Sequence, residues 1–108
     1  MENQNIAFFN EIVEQNYQAV KSRGLITNET DFYDFMEKLE EETKELGFAQ
    51  LNKECSDVAK KHFESELIDC ISVFLNMAKH YNINIIEGLK NNVDKNWERA
   101  KHININEL

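Results

Sequence analysis

From Phe63 to Tyr81 the chain places Phe63, Leu67, Cys70, Ile71, Phe74, Met77, Ala78 and Tyr81 at i, i+3, i+4 spacing. Ile68, Val73 and Leu75 add apolar surface on other sides, so a helix here is greasy around much of its circumference. Such a helix is buried on more than one face, and only a multi-helix assembly supplies enough cover. Glu66 and Asp69 interrupt that stretch. A carboxylate on a buried flank is costly unless a cation or strong hydrogen bonds compensate.

The remaining pattern is helical throughout. The chain has 108 residues, no proline and three glycines, which leaves few breakers and fits a single domain, residues 1–108. A first helix is expected over Ile6–Arg23, ended by Gly24, with Leu25 and Ile26 leading into the candidate N-caps Thr27 to Thr30. A second carries Phe32, Phe35, Met36, Leu39 and Leu46, with Gly47 as a stop unless the pattern runs on through Phe48 and Leu51. Polar residues 52–61 bridge to the third helix, which Ser56 or Asp57 caps; Asn82 and Asn84 punctuate the turn after it. The fourth is expected over Ile85–Ala100 with Ile86, Leu89, Val93 and Trp97 inward, and a loose tail from His102. The expectation is an all-α, four-helix bundle. The surplus apolar surface of the third helix calls for completion by a homodimer or homotetramer.

Charge and cysteine usage narrow the partners. Twenty acidic against twelve basic side chains give a net charge of −8, which argues against nucleic acid or an anionic membrane surface. Neither a signal-peptide pattern nor an apolar run of roughly 18 residues is visible, so the default is a cytoplasmic protein. Cys55 and Cys70 lack a CxxC spacing, and Cys70 reads as a small hydrophobe.

The chemistry lies in the carboxylates. Glu42 falls within the apolar stripe of the second helix, and Glu45 follows one turn later. Glu66 and Asp69 repeat that spacing on the third. If the two helices pack side by side, four carboxylates converge, and they cannot all stay charged without cations. Oxygen ligands alone favour Mg²⁺, or Mn²⁺, over zinc. A di-iron bundle would want Glu-x-x-His, which is absent, and His62, His80 and His102 read as surface or packing residues isolated from the carboxylates. Lys38 stands one turn before Glu42 and could serve the same site or pair with it. Asn92, Lys95, Asn96 and Arg99 share a face of the last helix that could meet phosphate, or simply complement the helix dipole.

These motifs resemble the MazG-like all-α nucleotide pyrophosphohydrolases, whose hallmark is EExxE followed by ExxD. Here the two are Glu41-Glu42-Thr43-Lys44-Glu45 and Glu66-Leu67-Ile68-Asp69, and Lys95-Asn96-Trp97-Glu98-Arg99 resembles the family's C-terminal basic element. The resemblance implies a Mg²⁺-dependent hydrolysis of (d)NTP to (d)NMP and pyrophosphate. It implies Glu42, Glu45, Glu66 and Asp69 as metal ligands and Glu41 as an extra ligand or base. Lys95, Asn96 and Arg99 would then contact phosphate or base. The polar segment 52–61 matches no substrate-specifying pattern of the family. Phe8, Phe9, Phe32 and Trp97 could stack on a base, though each reads first as core. Two readings from other classes stand beside the enzyme: a non-catalytic helical interaction module, and a nucleotide-binding sensor without turnover.

Overall fold

The computed structural model describes the backbone of residues 2–107 and the side chains of residues 3–102. The described chain is all helix, with α1 over Glu2–Ser22, α2 over Phe32–Gln50, α3 over Asp57–His80 and α4 over Ile85–Glu107. No helix among the described residues is long and apolar enough to cross a membrane.

The helix ends follow local chemistry. Gly24 closes α1 at φ +77°, where Leu25 N–H donates to the Val20 carbonyl at 3.4 Å and Gly24 N–H to Lys21 at 2.9 Å. This is a Schellman stop, and glycine reaches the left-handed region without a Cβ penalty. Asn82, at φ 57°, closes α3 the same way, with Ile83 N–H on the Ala78 carbonyl at 2.9 Å. The cap of α2 corrects the sequence expectation. Asp31, rather than Thr27 to Thr30, accepts from Asp34 N–H, while the Asp34 side chain accepts from Asp31 N–H. That reciprocal box satisfies two backbone donors at once, which a lone threonine does not. Ser56 caps α3 as expected. Gly47 does not stop α2, because with both neighbouring turns intact a single glycine costs only about 1 kcal/mol. Nor is the chain loose from His102, since α4 continues to Glu107.

α3 is the axis of the molecule. It packs extensively along α2 and more lightly along α1, whereas α4 touches the other helices only sparsely. Leu39, Cys70 and Val73, with Leu46 against them, form the α2–α3 core. α1 joins through polar contacts: Asn16 Nδ2 donates to Ser72 Oγ at 2.7 Å and to Asn76 Oδ1 at 3.0 Å. Lys79 pairs with Glu14 at 2.7 Å and holds that carboxyl below its usual range. His80 ties three segments together. Its Nε2 donates to the Thr30 carbonyl at 2.8 Å, so Nδ1 accepts from the Tyr17 hydroxyl at 2.9 Å. The Phe35 ring packs edge-on against the imidazole at 5.2 Å.

The fourth helix departs from expectation. Leu89, Val93 and Trp97 are not inward; they are 53%, 55% and 69% exposed. Phe8 and Phe32 are likewise exposed rather than core. A helical period marks a face that favours burial, but says nothing of whether the same chain covers it. The radius of gyration is 17.4 Å, against ~13 Å for a compact domain of this length.

Candidate metal centre

The antiparallel pairing of α2 and α3 sets Glu42 and Glu45 opposite Glu66, and one carboxylate oxygen from each lies within 4.8 Å of the others. Glu42 and Glu66 are buried and Glu45 is exposed. One oxygen of Glu42 meets Lys38 Nζ at 3.1 Å, and the same ammonium lies 3.6 Å from Glu41. The second oxygens of Glu42 and Glu66 are buried without a hydrogen-bond partner. Buried polar atoms are rarely left so, because desolvation without a partner costs several kcal/mol for a charge. Proximity has an electrostatic signature. Glu45's carboxyl is pushed above its ordinary value, first by the Glu42 charge, then by burial and by Glu66. The neighbouring Cys70 thiol is raised too, mainly by burial and next by the Glu42 charge.

Of the four ligands expected from sequence, Asp69 is set apart from the triad. It lines a cavity of about 660 Å³ between α1, α2 and α3, together with Lys38, Glu41 and Glu42. Glu42 therefore belongs to both the acidic cluster and the cavity. Asn16 from α1, Ser72 and Asn76 from α3, and Arg23 also line the cavity. These four were missed in the sequence. Asn16 and Asn76 had a signal, each a polar residue inside an apolar stripe, as with Glu42; Arg23 had none. Lys95, Asn96 and Arg99 are exposed on α4 and do not line this cavity.

The histidines divide. His80 is a packing residue, and His102 is an exposed neighbour of Glu98 at 3.4 Å. His62 is not isolated: its Nε2 lies 3.8 Å from Glu66 Oε1, one helical turn away.

The donor set suits a divalent cation. Three carboxylates from two rigid helices, two with unpartnered buried oxygens, have the hard oxygen chemistry that Mg²⁺ and Mn²⁺ take. Comparison of the chain with family models, with curated proteins and with solved structures gives no match in any of the three.

Proposed function

We propose that this chain is a Mg²⁺-dependent nucleoside triphosphate pyrophosphohydrolase of the MazG-like kind, turning (d)NTP and water into (d)NMP and pyrophosphate in the cytoplasm. The observation that carries the reading is the Glu42, Glu45, Glu66 triad abutting a nucleotide-sized cavity through Glu42. Glu42, Glu45 and Glu66, joined by Asp69 if its exposed side chain turns inward, would hold the cation, which would supply Lewis-acid polarisation of a phosphoryl oxygen. The chain's own groups do the rest. Glu41, exposed and lining the cavity, would accept a proton from an attacking water. Lys38 and Arg23 offer cationic donors to phosphate oxygens. Asn16, Ser72 and Asn76 present amide and hydroxyl groups to the remainder of the ligand.

The reading includes a homodimer or homotetramer. The exposed stripe of α4 and the expanded radius of gyration support it. Lys95, Asn96 and Arg99 reach a substrate only if another copy brings α4 over a cavity. The same stripe favours the rival interaction module, under which Mg²⁺ has no effect on the protein. Pyrophosphate release from a panel of ribo- and deoxynucleoside triphosphates with Mg²⁺, beside Glu42→Gln, separates the two. Release that vanishes in the variant is expected; no release from any nucleotide would overturn the hydrolase.

A further inference from the structure

One member of the acidic triad, Glu66, has a nitrogen neighbour, His62, which stands outside the group of atoms that the three carboxylates bring together. His62 and Glu66 occupy i, i+4 positions of α3, the spacing that lets two side chains on one helix face grip a single ion. Their Nε2 and Oε1 atoms are 3.8 Å apart. Two ligand atoms about 2.1 Å from a shared ion stand about 3.0 Å apart at a right angle and about 4.2 Å apart when opposite. The observed separation lies between those two values, so the imidazole must turn to share an ion with Glu66. The His62 side chain is 61% exposed and therefore free to turn. Glu66, by contrast, is buried, and its second oxygen has no partner.

We propose that His62 completes the carboxylate cluster as a nitrogen ligand, so that the centre prefers a divalent transition ion of the Mn²⁺ kind over Mg²⁺. Imidazole binds first-row transition ions well, whereas Mg²⁺ takes oxygen donors almost exclusively. The carboxylates make the site a divalent one; His62 selects within that class. Lys38 already neutralises one oxygen of Glu42, which leaves the Glu66 side as the side where an additional ligand matters. The inference rests on reading the triad as a divalent-cation site, and it concerns which cation that site takes.

The test uses the full chain and Mn²⁺ alone as the probe. Electron spin echo modulation of the bound Mn²⁺ should carry a ¹⁴N coupling in the wild type and lose it in His62→Gln. Competition titrations should show the Mn²⁺ over Mg²⁺ preference falling at least about tenfold in that variant, with Mg²⁺ affinity little changed. The exposed position of His62 keeps the variant folded, which circular dichroism checks. Bound Mn²⁺ without nitrogen modulation, or modulation that persists in His62→Gln, overturns the role of His62 and leaves the carboxylate site standing. A wild type that binds neither Mn²⁺ nor Mg²⁺ overturns both.

Discussion

α2–α3 and α4 are written in the same apolar period and differ in how much of it the chain covers. In the α2–α3 pair part of the stripe is covered, at Phe35, Leu39, Cys70 and Val73, with Glu42 and Glu66 buried beside it, while Leu67, Ile71 and Phe74 on the far side of α3 stay exposed. Along α4 the stripe of Leu89, Val93 and Trp97 faces outward, with cations beside it. A helix that buries charge next to a cavity is organised for binding. One that leaves apolar residues uncovered is organised for contact with another surface. The cost of each arrangement falls on a different equilibrium: ion occupancy for the first, association for the second.

The sharpest way to break the comparison is at the buried charges. Glu66→Gln should abolish both nucleotide hydrolysis and the Mg²⁺- or Mn²⁺-dependent rise in melting temperature, read by pyrophosphate release and thermal unfolding. Without metal the same variant should be as stable as the wild type or more so, because repulsion in the triad is relieved. A metal response that survives would place the ion elsewhere.

Next in size is a pair of aromatic truncations. Phe35→Ala removes a ring that is 4% exposed and packs against His80, and should cost about 3–5 kcal/mol in urea unfolding. Trp97→Asp should leave the fold of α1–α3 intact while shifting the protein to monomers in light-scattering chromatography. Equal losses of stability would mean that α4 is part of the same core.

Tyr17→Phe isolates one strand of the polar mortar between α1 and α3. Losing the hydroxyl that donates to His80 should cost about 1 kcal/mol and leave metal binding unchanged.

The smallest effect is one of pH. Glu45's carboxyl is raised above its ordinary 4.5 in the fold, so the native protein holds this proton more tightly than the unfolded chain. Its stabilising contribution to the metal-free protein is full below the unfolded value and fades as pH rises through the raised one. Glu45→Gln should flatten that part of a melting-temperature profile taken between about pH 4 and 7; an unchanged slope would assign it to other groups.

Much of this was legible in advance because it is local. The four helices, the stops at Gly24 and Asn82, the Ser56 cap and the placing of Glu42 and Glu66 within apolar stripes all follow from spacing and turn chemistry within a few residues. The α2 cap was misjudged because a cluster of threonines offers several candidates, and only the reciprocal Asp31–Asp34 geometry selects one. Asp69 was grouped with the triad on an i, i+3 argument that fixes its helix face but not its distance from α2. His62 is a surface residue as expected, but it is not isolated from the carboxylates, because a search for Glu-x-x-His overlooks an i, i+4 neighbour of Glu66.

The sequence by itself determined that this chain is helical, where its helices turn, and that two of them carry carboxylates in apolar stripes. These properties depend on backbone preferences and on the 3.6-residue period, which neighbours in sequence set. Only the tertiary structure decided that three of those carboxylates meet, that Glu42 also borders a cavity with Asn16 and Asn76, and that α4 stands apart with its stripe uncovered. Those outcomes depend on how rigid helices cross in space, and a one-dimensional period leaves the depth and partner of each face open.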